Sequence, residues 1–204
     1  EGYVKIIVTR GSDDHNFTIP ARSALQPNVL VYGKPIDLNA IEKVQSGVNC
    51  ITLDDDRGHH CDILSLNQLN NMMARAEAQK KNCYDAVFIK DGLLTEASHS
   101  NVCIVKAGVI WTPATNEHMI RGVTRSLVLT RAAPSAGVTS IDEASEPVRF
   151  EDMMTAEEVF LTNSQDGIIP VLSIDGNLIG GGKVGDVTKK IQEHYAHLME
   201  DGLP

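Results

Sequence analysis

The sequence is dominated by short apolar segments, each a few residues long and bounded by glycine, aspartate or asparagine. Segments of this length are typical of β-strands, and turn residues placed so closely between them indicate hairpins. The Asp175-Gly176 pair, for example, is typical of a hairpin turn. Strands are predicted over residues 3–9, 29–32, 48–53, 85–89, 93–96, 101–105, 109–112, 159–162 and 171–174.

Three segments have helical periodicity instead. Apolar residues spaced three or four apart predict a helix over 66–81, and this stripe is predicted to face the core. The stripe consists of Leu66, Leu69, Met72, Met73 and Ala76. Two further helices are predicted over 124–133 and from Asp186, a typical N-cap residue, onward. The inner face of the last helix is predicted to carry Val187, Ile191, Tyr195 and Leu198. Together the pattern predicts one α/β domain rich in short antiparallel strands.

The composition excludes several classes of protein. Lys and Arg number 18 against 27 Asp and Glu, and the resulting net charge of −9 argues against a general binder of nucleic acid. No apolar run approaches the ~18 residues that a membrane span needs. The four cysteines form no CxxC pair, so a reduced, cytoplasmic compartment is expected.

Two clusters of polar residues are interpreted as structural. His59-His60-Cys61-Asp62 would alternate its side chains between the faces of a strand, so the four residues would chelate poorly. No metal site is therefore predicted. Asp54-Asp55-Asp56 ends a predicted strand and is interpreted as a solvated acidic turn.

Three other polar segments lie at the ends of apolar strands, over 94–102, 120–125 and 160–171. A glycine turn that opens a helix, as at Gly122, offers free N–H groups to an anion. A carboxylate that follows a strand, such as Glu96, can pair with a cationic ring nitrogen. Taken singly, each segment is better explained as a helix cap or a turn.

Four motifs nevertheless occur in a characteristic order. They are Thr95-Glu96 with Ser100-Asn101, Gly122-Val123-Thr124-Arg125, Thr162-Asn163-Ser164 with Pro170-Val171, and 175–179 with 182–185. In this order they resemble the class IV aminotransferases, the pyridoxal-phosphate enzymes of fold type IV. That family includes D-amino-acid and branched-chain aminotransferases and aminodeoxychorismate lyase. The resemblance implies the large domain of the D-amino-acid-aminotransferase-like fold, an α/β arrangement with a short-stranded sheet or pseudo-barrel and flanking helices.

The resemblance also implies which residues hold the cofactor, pyridoxal 5′-phosphate. Glu96 would contact the pyridine nitrogen and keep it protonated, so that the ring can act as an electron sink. The other cofactor contacts would be Ile120 on the ring face, and Gly122, Val123, Thr124 and Ser164 at the phosphate. Residues on the substrate side would be Ser98, His99 and Asn163.

One position departs from the family pattern. The Schiff-base lysine of the family lies just before a Ser-Leu-Asn segment, and here Leu64 stands at that position, before Ser65-Leu66-Asn67. The cofactor is therefore expected to bind without covalent attachment. The family's small N-terminal subdomain has no counterpart in residues 1–204, which are expected to be the large domain. A homodimer, or a separate chain supplying the subdomain, is expected.

The resemblance implies transfer of an amino group between an amino acid and a 2-oxo acid. Because Leu64 supplies no amine, two alternatives stay open. One is a lyase similar to aminodeoxychorismate lyase, which the Thr162-Asn163-Ser164 segment favours. The other is a non-catalytic relative that keeps the fold.

Overall fold

The computed structural model describes residues 2–11, 26–141 and 147–200. The chain divides into two compact units, residues 1–39 and residues 40–204. In the first unit, strands β1 (Gly2–Thr9) and β2 (Asn28–Pro35) pair antiparallel along their whole length. Both predicted strands are confirmed. Strand β2 continues to Pro35 because a proline at the end of a strand need not donate to the ladder.

The second unit contains all the strands and helices that were predicted for it, and further short elements between them. In chain order the elements are α1 (Leu38–Gln45), which leads into the unit, β3 (Val48–Asp54), α2 (Leu69–Lys80), β4 (Asp85–Lys90), β5 (Leu93–Ala97), β6 (Asn101–Lys106), β7 (Val109–Trp111), α3 (Val123–Leu127), a π-helical segment (Val128–Ala132), α4 (Ala133–Ser135), β8 (Ser140–Ile141), α5 (Phe150–Met154), β9 (Glu158–Asn163), β10 (Gly167–Ile174), β11 (Asn177–Leu178) and α6 (Asp186–Glu200). The segments from α3 to α4 form one continuous helical run, so the helix predicted over 124–133 is confirmed.

A single mixed sheet organises this unit. Its strand order is β5-β4-β3-β10-β9-β6-β7-β8, and β11 pairs with β10. Strand β3 runs parallel to both β4 and β10, whereas β9 is antiparallel to β10 and to β6. The parallel β3–β4 pair requires a crossover connection, and the loop after β3 together with α2 provides it. The Asp175-Gly176 turn joins β10 to β11 as predicted.

Helix α6 packs on the sheet through the face that its periodicity predicted. Ile191 is fully buried beside Phe160 of β9 and Ile168 of β10, and Val187, Tyr195 and Leu198 pack against the same cluster. The predicted inner face of this helix is therefore confirmed. The predicted cap is wrong, because Asp186 is the first helical residue and the N–H groups of Val187 and Thr188 are accepted by the Glu158 carboxylate. No helix among the described residues is both long enough and apolar enough to cross a membrane.

The prediction for α2 is wrong in its boundary and in its buried face. The helix begins at Leu69 rather than at residue 66, and the predicted core stripe is exposed: the four large side chains Leu66, Leu69, Met72 and Met73 are 62 to 69% accessible. The buried residues are instead Ala74 and Ala78, which pack with Ile51, Ala86 and Phe88 of the sheet. Small side chains allow the helix to approach β3 and β4 closely, and this close approach leaves the larger residues outside.

We expect Leu161→Ala to lower the free energy of unfolding by about 2–5 kcal/mol, because Leu161 is completely buried on β9 between two hydrogen-bonded neighbours. Leu178→Ala is the matched control, since Leu178 is exposed on β11, and should change stability by no more than about 0.5 kcal/mol. Chemical denaturation measures both. Equal effects of the two substitutions would contradict the placement of the core.

Candidate active site

An arginine between two carboxylates forms the buried centre of the site. Asp55 and Arg57 lie in the loop that follows β3, and Glu96 lies on β5. The Arg57 guanidinium donates from Nε to Asp55 Oδ1 at 2.9 Å and from Nη2 to Asp55 Oδ2 at 2.8 Å. Its Nη1 donates to Glu96 Oε1 at 2.5 Å. Such charge-assisted, partly bidentate pairing holds the arginine in one orientation.

Arg57 has further contacts that connect separate parts of the chain. Its Nη2 also donates to the main-chain oxygen of His118 at 3.0 Å, and the guanidinium lies 4.3 Å from the centre of the Phe88 ring. Thr95 Oγ1 donates to Asp55 Oδ2 at 2.7 Å. Because His118 belongs to the loop after β7, one side chain ties together that loop, the loop after β3 and strand β5.

Burial and pairing oppose each other at the two carboxylates. Burial acts to raise the pKa of Asp55, but hydrogen bonds from Arg57 and Thr95 outweigh it and lower this pKa below its ordinary value. At Glu96 burial dominates and raises the pKa to about 7 despite the contact with Arg57. With two carboxylates and one guanidinium ionised, the cluster has a net charge of −1. It is therefore complementary to one additional cation.

The second oxygen of Glu96 holds the chain just before α3. Glu96 Oε2 accepts the Ile120 N–H at 2.9 Å and the Asn101 side-chain amide at 3.4 Å. Asn101 Nδ2 also donates to the Ile120 carbonyl at 2.7 Å, and Asn101 Oδ1 accepts the Gly122 N–H at 3.1 Å. Any side chain at 122 would collide with Asn101, since a Cβ there would lie 2.1 Å from Asn101 Oδ1. The turn is thus built against Glu96 and Asn101.

A cleft of about 270 Å³ lies against this cluster. Most of its lining comes from residues between Arg57 and Asn71, and Glu96 and Ile120 complete it. At the next turn, α3 begins at Val123, whose side chain is exposed, while Thr124 is buried. The first N–H groups of a helix have no partner within it, so this turn offers donors to a ligand.

A second buried polar cluster lies beneath the β5–β6 turn. The Asp85 carboxylate, which is fully buried, accepts hydrogen bonds from the Ser98 hydroxyl, from the Ser100 hydroxyl at 3.4 Å and from the Ala86 N–H at 2.8 Å. Burial raises the pKa of Asp85 above its ordinary value. Asn71, which lines the cleft, donates to the Ser98 main-chain oxygen at 3.0 Å and so connects the cleft with this turn.

The β9–β10 turn joins the second cluster through Asn163. Asn163 Nδ2 donates to Ser100 Oγ at 3.1 Å and to the Tyr84 hydroxyl oxygen at 3.2 Å, while Asn163 Oδ1 accepts the Asp166 N–H at 2.7 Å. Tyr84 in turn donates to Asp166 Oδ2 at 2.6 Å, and burial together with this bond raises the pKa of Tyr84. The turn is consequently fixed to β4 and to the β5–β6 turn.

The structure brings some of the predicted site residues together and separates others. Ile120 contacts Glu96 of the Asp55–Arg57–Glu96 cluster, Gly122 is held beside it by Asn101, and Val123 and Thr124 follow directly. The side chains of Ser98 and Asn163 belong to the second cluster, whereas His99 and Ser164 are exposed in their turns. Leu64 is 74% exposed and is not among the residues that line the cleft.

The sequence interpretation missed Asp55 and Arg57. The run at 54–56 was expected to be a solvated turn, and this is wrong for Asp55, which is 8% exposed because its carboxylate pairs with Arg57. The arginine that directly follows the run, two residues after Asp55, was the available signal. The segment His59-His60-Cys61-Asp62 lies in a loop and not on a strand, because the chain leaves the sheet after Asp54.

We expect Glu96→Gln to remove a pH dependence from stability. Between about pH 4.3, the ordinary pKa of a glutamate, and about 7, its pKa in the fold, the folded state binds more protons than the unfolded state. Wild-type stability relative to the variant should therefore fall as pH rises through this window, by at most about 3 kcal/mol. Denaturant titrations between pH 5 and 7.5 measure this difference.

Glu77→Gln is the control for this prediction. Glu77 is exposed, and its hydrogen bond with Lys80 lowers its pKa, so its contribution is lost only at more acidic pH. The difference between wild type and this variant should stay constant over the window. A constant difference for Glu96→Gln as well would show that the buried carboxylate titrates normally.

Comparison with known proteins identifies relatives along almost the whole chain. Residues 1–174 match the family model described as amino-transferase class IV. The D-alanine aminotransferase of Bacillus licheniformis is 38% identical over 192 residues, which are 94% of this chain and 65% of that protein. The D-alanine aminotransferase of Staphylococcus aureus strain N315 is 32% identical over 199 residues, 98% of this chain and 68% of that protein. The chain thus spans about two thirds of the length of these relatives.

Solved structures support the same fold. The branched-chain amino acid aminotransferase of Escherichia coli superposes with a TM-score of 0.81 at 22% identity, over 97% of this chain and 64% of that one. The corresponding enzyme of Thermobaculum terrenum, solved in its PLP-form, gives 0.80 at 20% identity over 98% and 64%. These likenesses confirm the predicted mixed α/β fold of type IV. From the family match and the identities together, the chain belongs to the class IV aminotransferase family.

Proposed function

We propose that this chain is the cofactor-binding part of a pyridoxal-phosphate-dependent aminotransferase, which exchanges an amino group between an amino acid and a 2-oxo acid. The observation that carries the proposal is the buried Glu96 carboxylate, which lines a cleft beside the turn that begins α3. Support comes from relatives that are named D-alanine aminotransferases and from a structural neighbour solved in its PLP-form.

The residues at the ion cluster fit the ring of this cofactor. Among the residues that the structure describes, Arg57 is the one donor to Glu96 Oε1, so the same oxygen has capacity for a second donor. The net charge of the cluster favours a protonated ring nitrogen as that donor. Ile120 supplies an apolar side chain to the same cleft. When bound, pyridoxal phosphate supplies an electron sink for the carbon that bears the amino group.

The phosphate end of the cofactor is assigned to the turn before α3. We assign its contacts to Gly122, to the N–H groups of Val123 and Thr124, and to Ser164. The start of a helical run that continues to Ser135 favours an anion, and the exposed Val123 leaves this start accessible. The absence of a side chain at Gly122 allows this turn to lie directly against Asn101.

The other residues of the site have supporting roles in this proposal. Arg57 and Asp55 keep Glu96 oriented, and ionised Glu96 holds a proton on the ring nitrogen. The substrate side is assigned to the turns that carry Ser98, His99 and Asn163. The hydrogen bond from Asn71, a residue of the cleft, to the Ser98 main chain supports this assignment. Asp85 stabilises the first of these turns from below.

Leu64 limits the chemistry that this chain can perform. A lysine at this position in the family forms the covalent bond with the cofactor and moves the α-proton, and leucine can do neither. We therefore propose that the cofactor is held without a covalent bond. A non-catalytic relative is the second candidate function. The observation that favours it is the exposed Leu64, which does not line the cleft although its neighbours Ile63 and Ser65 do.

We expect wild-type protein to bind pyridoxal 5′-phosphate in calorimetry without a lysine adduct after borohydride reduction. Leu64→Lys should acquire an adduct at residue 64, detected by mass spectrometry, because it restores the amine at the family position. Leu66→Lys is the matched control, being a leucine of similar exposure two residues away, and should acquire none.

The outcomes separate the candidates. A lysine adduct in the wild-type protein would contradict non-covalent binding. An adduct on Leu66→Lys but not on Leu64→Lys would contradict the assignment of position 64. Absence of binding by the wild-type protein would favour the non-catalytic relative.

We further propose that the chain acts as a homodimer in the cytoplasm. The segment before α2 and the outer face of α2 expose six apolar side chains, which we call the α2 face: Ile63, Leu64, Leu66, Leu69, Met72 and Met73. An apolar surface of this kind typically marks a protein interface. Four free cysteines support a reducing compartment.

Met73→Asp is expected to shift the protein from dimer to monomer in sedimentation velocity, because it places a charge in the α2 face. Leu178→Asp adds the same charge to an exposed leucine on β11 and should leave the dimer intact. Dissociation by Leu178→Asp alone, or a wild-type monomer, would contradict the α2 face as the interface.

A further inference from the structure

The side chain of Asn101 occupies a position that the proposed function leaves without a role. It lies at the start of β6, is almost fully buried, and uses both ends of its amide on one short segment. Nδ2 donates to the Ile120 carbonyl at 2.7 Å, and Oδ1 accepts the Gly122 N–H at 3.1 Å. Two peptide groups of the same turn are thereby fixed to one side chain.

The same amide also connects this turn with the carboxylate. Glu96 Oε2 accepts the Ile120 N–H at 2.9 Å and Asn101 Nδ2 at 3.4 Å, so Glu96, Ile120 and Asn101 form a closed ring of hydrogen bonds. The lack of space for a Cβ at Gly122 shows that the turn is packed tightly against Asn101. The distance between Glu96 and the start of α3 is consequently set by the direct Glu96–Ile120 bond together with the buried Asn101 side chain, which alone reaches Gly122.

We propose that Asn101 is a positioning residue that fixes the spacing between the Glu96 carboxylate and the Gly122–Thr124 turn. This inference rests on the proposed function, in which the two groups bind opposite ends of one ligand. The ligand class is a cationic nitrogen heterocycle with a phosphate arm. Asn101 itself makes no contact with the ligand.

The physical reason is the gain in affinity that a ligand obtains when one molecule reaches two binding sites at once. A ligand that reaches both groups binds far more tightly than either fragment, provided that the two sites are held at the right distance. A flexible turn would place the phosphate-binding N–H groups at many distances from Glu96 and would lose this gain. A buried amide whose hydrogen bonds are all made keeps Glu96 and these N–H groups at one distance.

The test compares a joined ligand with its two halves. Pyridoxamine 5′-phosphate is the joined ligand, because it requires no lysine for binding, and pyridoxamine and inorganic phosphate are the halves. Calorimetry and ligand-observed NMR give the three dissociation constants for the wild-type protein and for Asn101→Asp. Asn101→Asp retains shape and the acceptor for the Gly122 N–H, but it loses the donor to Ile120 and repels Glu96.

We expect Asn101→Asp to raise the dissociation constant of pyridoxamine 5′-phosphate by about tenfold or more. The dissociation constants of the two halves should change less, because the added charge acts on each half alone, whereas the lost spacing affects only the joined ligand. Asn101→Ser, which can restore a donor to Ile120 in smaller form, should recover part of the affinity for the joined ligand. Asn177→Asp adds the same charge on the exposed β10–β11 hairpin and should leave all three constants unchanged.

Other outcomes would overturn the proposal. Equal weakening of all three probes would show that Asn101 merely supports the fold, and unchanged binding of pyridoxamine 5′-phosphate would show that spacing does not depend on it. Failure of the wild-type protein to bind any of the three probes would instead contradict the proposed function, and the inference would fall with it.

Discussion

The guanidinium of Arg57 is the interaction on which the site depends. It joins Asp55 to Glu96, and through the His118 carbonyl it reaches the loop that precedes α3. Removing one partner of such a buried pair strands the remaining charge, at a cost of about 3–5 kcal/mol. The Glu96 carboxylate, the cleft beside it and the loop before α3 therefore depend on one another for stability.

When both carboxylates are ionised, the cluster has an excess negative charge and favours a cationic ligand. Burying two carboxylates with one guanidinium is costly, and burial raises the pKa of Glu96 to about 7. A cationic ligand would complete the pairing and would keep Glu96 ionised. The second cluster around Asp85 has a different character, because its hydrogen bonds come from hydroxyl groups, a main-chain N–H and turn residues. It supports the turns beside the cleft, and its nearest guanidinium, that of Arg75, lies over the Tyr84 ring at 5.2 Å.

Local signals in the sequence predicted most of the sheet. Alternating apolar residues and turn pairs such as Asp175-Gly176 act over a few residues, and the strands that they indicate are present. Periodicity also placed Ile191 correctly on the inner face of α6. The same rule misplaced the stripe of α2, since Ala74 and Ala78 decide which side approaches the sheet. Periodicity finds an apolar face but does not show what packs against it.

Site residues that belong to a sequence motif could be predicted. Those that enter the site through an ion pair with a residue far away in the chain could not. Glu96 and Gly122 stand in motifs whose order resembles a family, and Ile120 lies two residues before one of them. The pairing of Arg57 with Glu96 joins residues on either side of α2 and β4, and nothing in the local sequence indicates it. Asn101 lay within a motif, yet its link to both Ile120 and Gly122 depends on how β6 meets the segment before α3.

A crystal structure of this chain with pyridoxamine 5′-phosphate tests the central claim most directly. The account predicts the ring nitrogen at hydrogen-bond distance, about 3 Å, from Glu96 Oε1, with Arg57 still joining Asp55 to Glu96. The phosphate should lie at the N–H groups of Val123 and Thr124. A ligand bound away from Glu96, or an Arg57 that leaves the carboxylate when the ligand binds, would contradict it.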